Sequence, residues 1–185
     1  MSGSTPAQVV VMGVSGSGKT TVASMLADRL RCEMAEADRF HSPDNIAKME
    51  SGTPLDDDDR RSWLDSLAAW IALRAQRGSS AVVACSALKR RYRDVLRTGG
   101  AGVRFLHLAG PQQHVVDRVR ARSGHFMPPE LLVSQYADLE PLCPDERGAT
   151  VSLTLPPEQI VDTAIRELDL PVPGAGRNVS APSWR

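Results

Sequence analysis

The feature that most constrains this chain is a glycine-rich loop near its N-terminus. Residues 13–20 read GVSGSGKT and fit the pattern G-x-x-x-x-G-K-[ST], between a β-branched run at 9–12 and an amphipathic stretch at 20–30. A strand, such a loop and a helix together bind phosphate, because backbone N–H groups and the positive helix end point at the anion. This phosphate loop (residues 13–20) predicts a protein that binds a nucleoside triphosphate.

The positions of the phosphate loop have different predicted contacts. Lys19 is expected to reach the β- and γ-phosphates, and the Thr20 hydroxyl is expected to ligate Mg²⁺. A chance Gly/Ser-rich match is the alternative, and the flanking strand and helix argue against it. The predicted nucleotide-binding residues of this region are Gly13, Ser15, Gly16, Ser17, Gly18, Lys19, Thr20 and Thr21.

Strand-like and helix-like segments alternate along the chain. Four further strands are predicted at 32–37, 81–85, 103–108 and 150–155. Helical patterns are predicted at 20–30, 45–50, 63–73, 89–97, 111–122, 130–140 and 157–168. Alternation of this kind predicts an α/β fold with a doubly wound five-stranded parallel sheet, of the P-loop NTP hydrolase class.

One domain, residues 1–170, is predicted. Its core segments are expected at 8–37, 79–121 and 131–170. Residues 38–78 lack a strand pattern and are expected to form a helical, substrate-binding insertion. Residues 122–130 form a polar connector punctuated by Gly and Pro. Residues 171–185 are rich in Pro, Gly and Ser, and we expect a disordered tail there.

Composition narrows the partners. The 22 basic and 22 acidic residues cancel, whereas nucleic-acid binders usually show a basic excess. The chain shows neither a signal-peptide pattern nor an apolar run of the roughly 20 residues needed to cross a membrane. Cys32, Cys85 and Cys143 are widely spaced, which favours free thiols over a disulfide or zinc site. We predict a cytoplasmic protein that binds neither nucleic acid nor membrane.

A phosphate loop alone leaves several classes of protein open. GTPases normally carry N/T-K-x-D for guanine, and the chain lacks it. Motor and transporter ATPases usually have an apolar strand that ends in Asp, whereas the run at 82–85 leads into SALK without an acid. The small size and the helical insertion resemble the nucleoside-monophosphate and shikimate kinases. The chain is therefore interpreted as a small-molecule kinase.

Arg118, Arg120 and Arg122 precede the Gly- and Pro-punctuated part of the connector, residues 123–129. In the kinase group just named, such a segment is a lid that closes over ATP and excludes water. The resemblance implies that Arg118 and Arg122 bind nucleotide and stabilise negative charge during phosphoryl transfer. A solvated basic helix face is the alternative.

Longer motifs make the resemblance specific. The chain reads DRFHSPDNIAKM at 38–49, GTPLDDDDR at 52–60, CSALK at 85–89, YRD at 92–94 and RSGHF at 122–126. Over residues 9–168 it resembles the bacterial-type gluconokinase family. The resemblance implies direct in-line phosphorylation of D-gluconate at its 6-hydroxyl, with ATP and Mg²⁺ as cofactors. It also raises a homodimer as an expectation, since family members are commonly dimers.

Asp38 is the predicted acceptor-side catalytic residue. It follows the second predicted strand, at the edge of the sheet where doubly wound folds bind ligands. We expect it to orient the acceptor hydroxyl and take its proton; the alternative is a turn or helix cap. Relatives often carry Asp-x-Asp here, whereas this chain has Glu36, which leaves a water-mediated contact with Mg²⁺ open. The predicted catalytic set is Lys19, Asp38 and Arg122.

Two cations and three further polar residues complete the predicted substrate site. Arg60 and Lys89 are candidates for the gluconate carboxylate, although a plain surface lysine is the alternative for Lys89. The acids at 56–59 before Arg60 could instead favour a helix N-terminus. His41 and His125 flank the expected cleft, with a structural role as the alternative. The resemblance implies that Gln135 faces substrate.

Other residues are assigned to the scaffold. Trp63 and Trp70 lie seven apart on one helix face and are predicted to be core residues. Arg93 and Arg97 are predicted to be solvated. The proline-rich residues 155–157 are expected to border the adenine. Two other functions stay open: a kinase for another small sugar acid or shikimate-like polyol acid, and a non-catalytic nucleotide-binding module.

Overall fold

Five parallel strands form the centre of the protein in the computed structural model, which describes residues 5–121 and 129–173. The strands are β1 (Gln8–Met12), β2 (Glu33–Glu36), β3 (Ala81–Ala84), β4 (Val103–Ala109) and β5 (Gly148–Ser152). The helices are α1 (Lys19–Leu30), α2 (Pro43–Glu50), α3 (Asp57–Gln76), α4 (Arg90–Arg97), α5 (Gln112–Ala121), α6 (Pro129–Asp138) and α7 (Pro157–Glu167). The predicted doubly wound five-stranded α/β fold is confirmed.

The sheet has the order β2-β3-β1-β4-β5, which makes β1 the central strand. All five residues of β1 are buried, and they pair with β3 on one side and β4 on the other. Because every pairing is parallel, the carboxyl ends of the strands meet at one edge, where folds of this type bind ligands. The phosphate loop leaves from the middle of that edge.

Alternate residues of β1 point to opposite faces of the sheet, as expected of a strand buried on both sides. Val9 and Val11 pack into one core with α1 and α7. Val10 and Met12 pack into a second core with α3 and α4. Burying a side chain of this size contributes about 1.5–3 kcal/mol. The central strand is therefore held from both sides, and the loop that follows it has a rigid base.

Helices without a strand make up the insertion at residues 38–78. A 3₁₀ turn at Ala37–Phe40 precedes α2 and α3. The Ser42 hydroxyl caps α2 by accepting the Asn45 N–H group at 3.2 Å. Asp56 caps α3 and forms a capping box with Asp59. The acidic run therefore favours a helix N-terminus, as considered for it from the sequence.

Some boundaries differ from those predicted. β5 ends at Ser152 rather than at residue 155, because a turn follows in which the Leu155 N–H group donates to the Ser152 carbonyl at 3.3 Å. Residues 129–130, assigned to the lid, begin α6. The rest of the predicted lid, residues 122–128, lies outside the described residues, as do residues 1–4 and residues 174–185 of the predicted tail.

The prediction that Arg93 is solvated is wrong. Its side chain is 0% exposed, and its Nε donates to the equally buried Glu146 at 2.6 Å. A buried cation needs such a partner, because transfer of an unpaired charge from water is costly. Arg97, one turn further along α4, is 37% exposed at its side chain, in agreement with its prediction.

The three cysteines are free thiols, as predicted. Cys85 is buried at the end of β3, and burial raises the pKa of its thiol to about 12. Cys32 is half-buried, and burial together with the neighbouring Glu33 raises its pKa to about 11.

Within residues 5–121 and 129–173, every helix is too short or too polar to span a membrane.

Candidate active site

The backbone of the phosphate loop depends on its glycines. Gly13, Gly16 and Gly18 have φ angles of 143°, 80° and 98°, which residues with side chains disfavour. At Gly16 there is also no space, because an added Cβ would lie 2.6 Å from Cγ2 of Val119 on α5. The loop can therefore curl tightly between β1 and α1 only with glycine at these positions.

The N-terminus of α1 is arranged to receive an anion. Its first turn contains no acidic residue, and Gly18 provides no side-chain cap. No side chain of the helix therefore caps the first N–H groups or neutralises the positive helix end. The Lys19 ammonium lies within the loop, where Nζ donates to the Val14 carbonyl at 3.0 Å. Thr20 and Thr21 are exposed beside it.

A cavity of about 300 Å³ lies beside the phosphate loop. Its lining includes Gly16, Thr21, Arg118, Leu155 and Pro157. Arg118 lies on α5 and donates to the Ser17 carbonyl at 3.3 Å and to the Leu153 carbonyl at 2.7 Å. It therefore braces the phosphate loop against the segment that follows β5. Leu155 and Pro157, from the proline-rich segment predicted to border the adenine, thus line this cavity.

A second cavity, of about 650 Å³, lies between the insertion, the loop after β3 and α6. We call it the insertion cleft; its lining includes His41, Arg60, Trp63, Ala87, Leu88, Tyr92, Leu131, Gln135 and Asp138. Three of the predicted substrate-binding residues, His41, Arg60 and Gln135, are thus brought to one cavity. The other three are Asp38 and Lys89, which are not among the lining residues, and His125, which lies outside the described residues together with Arg122. Lys89 directly follows the lining residue Leu88.

Both predicted carboxylate ligands lie against Tyr92. Arg60 Cζ and Lys89 Nζ are each 5.9 Å from the centroid of its ring. Arg60 Nη1 donates to the Tyr92 hydroxyl at 3.1 Å, and Lys89 pairs with Asp138 at 3.1 Å. The two side chains are only 31% and 21% exposed, so their charges are less screened than on an open surface. Asp57 also belongs to this group, since it accepts from the Tyr92 hydroxyl at 2.7 Å and lies 3.8 Å from Arg60. An anionic ligand at this wall would compete with Asp57 and Asp138 for the two cations.

Tyr92 was not among the predicted site residues. Its position three residues after Lys89, in the first turn of α4, was the available signal. The sequence analysis predicted the two cations Arg60 and Lys89 from their charges, but it did not predict the aromatic ring that both of them contact. An aromatic face beside cations is nevertheless a common arrangement.

His41 lies in the wall of the cleft, stacked on Trp63 with ring centroids 4.6 Å apart. Burial lowers the pKa of His41; Asp38 opposes this shift and Arg60 adds to it, so that the pKa stays below its usual value. The imidazole is therefore neutral at neutral pH. Its Nδ1 is buried and has no hydrogen-bond partner among the described residues. A neutral imidazole suits hydrogen bonding to a hydroxyl group.

Trp63 has two roles, of which only the core role was predicted. Its ring is buried in the core with α3 and α4, and Nε1 donates to the Ala37 carbonyl at 2.7 Å. The same ring supports His41 and lines the cleft. Trp70, predicted as core, is partly buried and packs edge-on against Phe40 with centroids 6.2 Å apart.

Asp38 lies in the 3₁₀ turn after β2 and is exposed at the carboxyl edge of the sheet. Its charge raises the pKa of Cys85 while that of Lys19 lowers it, both secondary to burial, so both groups lie close to the end of β3. Two residues earlier, Oε1 of Glu36 is buried and has no hydrogen-bond partner among the described residues. Asp38, the predicted general base, and Lys19 thus lie at the same end of the sheet.

Gln135 connects the insertion cleft to the phosphate loop. Its Oε1 accepts the Ser15 N–H group at 2.6 Å, and its Nε2 donates to Ser15 Oγ at 3.0 Å. The residue does line the cleft, but its hydrogen bonds go to the phosphate loop rather than across the cleft. α6 therefore contacts both candidate binding sites.

Known proteins share this fold and these segments. Residues 9–142 match a family model described as an AAA domain. The chain is 44% identical over 161 residues to the gluconokinase of Gluconobacter oxydans, which covers 87% of this chain and 90% of that protein. A solved sugar kinase from Janibacter sp. HTCC2649 matches with a TM-score of 0.83 at 56% identity, over 89% of this chain and 95% of that one. A gluconokinase from Sinorhizobium meliloti 1021 matches with a TM-score of 0.78 at 42% identity, over 89% and 93%.

Proposed function

Because this chain belongs to the gluconokinase family, we infer that it is the enzyme that transfers a phosphoryl group from ATP to gluconate. The likeness to gluconokinases extends over most of the chain. The observation that carries the proposal is a phosphate loop adjoining a cleft with two cations, Arg60 and Lys89, on one wall. The first site suits a triphosphate and the second suits a polyol with one carboxylate. The products are ADP and 6-phosphogluconate.

We propose that the nucleotide lies between the phosphate loop and the 300 Å³ cavity. The N–H groups of the loop and Lys19 hold the phosphates, and the base occupies the space beside Leu155 and Pro157. Arg118 supports this site by holding the loop in place through the Ser17 carbonyl. Its guanidinium is close enough to the cavity to offset negative charge on the phosphates.

The residues present fit a magnesium ion. Thr20 belongs to the phosphate loop and has an exposed hydroxyl, and Glu36, whose Oε1 is buried and unpartnered among the described residues, ends β2 at the edge of the sheet from which that loop leaves. Mg²⁺ takes such oxygens together with water and substrate phosphates. We propose Thr20 as a direct ligand and Glu36 as a partner through water. When bound, Mg²⁺ neutralises charge on the phosphates.

We propose that the insertion cleft holds gluconate. Arg60 and Lys89 bind its carboxylate, and the neutral His41 hydrogen-bonds a hydroxyl group of the chain. Asp38 orients the 6-hydroxyl and takes its proton as that oxygen attacks the γ-phosphorus and the bond to ADP breaks. In direct in-line phosphoryl transfer the protein itself forms no covalent bond with the substrates. Alignment of the substrates and stabilisation of charge therefore supply most of the catalysis.

Several expectations stay predictions. Residues 122–128 are proposed to close over the nucleotide as a lid, with Arg122 stabilising the transferring group and His125 facing substrate. Residues 38–78 are proposed as the substrate-binding segment. The homodimer, the cytoplasmic location and the absence of nucleic-acid and membrane partners also stay predictions.

A panel of acceptors tests the function. We expect ATP and Mg²⁺ to support ADP release with gluconate, and with glucose, which lacks the carboxylate, kcat/KM should fall by about 100-fold or more. Shikimate and other sugar acids complete the panel. A higher kcat/KM with another acid would overturn gluconate as the acceptor. No acceptor-stimulated ADP release at all would leave only nucleotide binding.

Arg60→Ala tests the carboxylate site. A hydrogen bond to a charged group contributes about 1.5–3 kcal/mol, so KM for gluconate should rise by about 10- to 100-fold. The matched control is Arg61→Ala, on the same turn of α3, where the side chain is 68% exposed and pairs with Asp65 at 3.2 Å. Steady-state kinetics should show a normal KM for the control. Equal KM values for the two variants would remove Arg60 from the substrate site.

A further inference from the structure

A buried arginine, Arg93, joins two segments on the rim of the insertion cleft. It lies on α4, and its side chain is 0% exposed. Nε and Nη2 donate to the two carboxylate oxygens of Glu146 at 2.6 and 2.9 Å. The other contacts go to backbone carbonyls, at distances of 3.1–3.2 Å: Ala87, Leu88, Glu140 and Pro141.

The first segment is the loop between β3 and α4. Ala87 and Leu88 line the cleft, and Lys89 follows them directly. Ala87 has a φ of 44°, in the left-handed region that an alanine rarely adopts. Such a conformation persists only where the surroundings hold it in place. Arg93 provides such a hold by donating to the carbonyls of both Ala87 and Leu88.

The second segment follows α6 directly. Besides its bond to Arg93, Glu140 donates its N–H group to the Leu88 carbonyl at 2.9 Å, which binds the two segments to each other. Two residues before it, Asp138 pairs with Lys89. The end of α6 is therefore held near Lys89 by a few contacts. Arg93 bonds the carbonyls of both segments, the Lys89–Asp138 and Glu140–Leu88 contacts join them directly, and the Arg90 N–H group donates to the Glu140 carboxylate.

The Arg93–Glu146 pair is a charged one. Burial raises the pKa of Glu146, but the hydrogen bonds from Arg93 and the Cys143 N–H group, together with the charges of Arg93 and Arg90, outweigh this and hold the pKa below its usual value. The carboxylate is therefore ionised and fixes the guanidinium plane, which leaves the remaining N–H groups aimed at the carbonyls. A lysine could not reproduce this, because its ammonium has three donors and no planar fork.

We propose that Arg93 is a positioning residue for the acceptor, which sets the geometry of Lys89 and α6 and hence the affinity for gluconate. The proposal rests on the function inferred above. None of the hydrogen bonds that the described residues make with Arg93 involves the phosphate loop or the cavity beside Arg118. Arg93 reaches the phosphate loop only indirectly, through Gln135 on α6, which bonds Ser15. Its effect should therefore be much larger on gluconate than on ATP.

The test uses Arg93→Met and Arg93→Lys in the full chain. We expect kcat/KM for gluconate to fall by about 10- to 100-fold in Arg93→Met, chiefly through KM, because small misplacements of binding groups carry large penalties. The KM and Kd for ATP should change less than about twofold. Arg93→Lys should lie between Arg93→Met and the wild type for gluconate.

Two controls separate positioning from general destabilisation. Arg97→Met removes an arginine from the same helix, where it pairs with Asp94 at the surface. Leu168→Ala opens a cavity in the core on the other face of the sheet. Both should keep the wild-type KM for gluconate at temperatures well below unfolding, even where Leu168→Ala melts earlier.

The outcomes are distinct. Parallel losses for ATP and gluconate, or an unchanged KM for gluconate in a folded Arg93 variant, would overturn the positioning role. Should Arg93→Met fail to fold, the same comparison in Arg93→Lys decides. A wild-type protein that does not phosphorylate gluconate would instead overturn the proposed function, independently of Arg93.

Discussion

Lys19→Ala should lower kcat by about 10³-fold or more, because it removes a preorganised positive charge from the transferring phosphoryl group. The ammonium lies in the phosphate loop and donates to the Val14 carbonyl at 3.0 Å. The stability change should be small, since a neutral acceptor left at a half-exposed loop costs about 1 kcal/mol. Coupled measurement of ADP release, with thermal unfolding on the same samples, gives both numbers.

Lys48→Ala is the matched control for Lys19→Ala. Lys48 lies on α2, is 43% exposed at its side chain and pairs with Asp59 at 2.7 Å. Its partner Asp59 is only 17% exposed, so the variant is expected to lose some stability. Lys48 is not among the lining residues of either cavity, so kcat should stay within about twofold of the wild-type value. Near wild-type turnover in Lys19→Ala itself would show that the phosphate-loop mechanism is wrong.

Asp38→Asn should lose most of its turnover and still bind ATP. An amide cannot take the proton of the acceptor hydroxyl, and loss of a general base lowers kcat by about 10²–10⁴-fold. The ATP affinity should be little changed, because Asp38 lies in the 3₁₀ turn after β2 and not in the phosphate loop. Calorimetric titration with ATP and steady-state kinetics with gluconate measure the two effects separately.

The control for Asp38→Asn is Asp65→Asn. Asp65 is an exposed carboxylate on α3 that pairs with Arg61 at 3.2 Å, so its loss should leave turnover unchanged. Unchanged turnover in Asp38→Asn would remove Asp38 from the chemistry. It would then favour the alternative in which this residue only shapes the turn.

Features that depend on neighbouring residues could be predicted from the sequence. The phosphate loop needs glycine where φ is positive, as at Gly16, and a helix must follow it. α2 begins where Ser42 can cap it, and α3 begins at the acidic run headed by Asp56. In each case the local backbone conformation can be met by only a few residue types, so the residue type indicates the conformation.

Contacts between distant segments could not be predicted in this way. Arg93 stands in a polar helical pattern, and its buried partner Glu146 lies 53 residues away. Gln135 and Ser15 are 120 residues apart, so no local pattern reveals that their side chain and backbone meet. Helical spacing places Trp63 on the apolar face of its helix, but it does not show that His41 stacks on the Trp63 ring. Tertiary packing, not local propensity, decides these contacts.

The contact between Gln135 and Ser15 is a route by which occupation of one site would affect the other. The Ser15 N–H group belongs to the loop proposed to receive phosphate, and Gln135 belongs to the wall of the cleft proposed to receive gluconate. A nucleotide that alters this contact alters the free energy of occupying the cleft. By reciprocity, gluconate then changes the affinity for ATP by the same factor as ATP changes the affinity for gluconate. In that case the saturation of the enzyme with one substrate would depend on the concentration of the other.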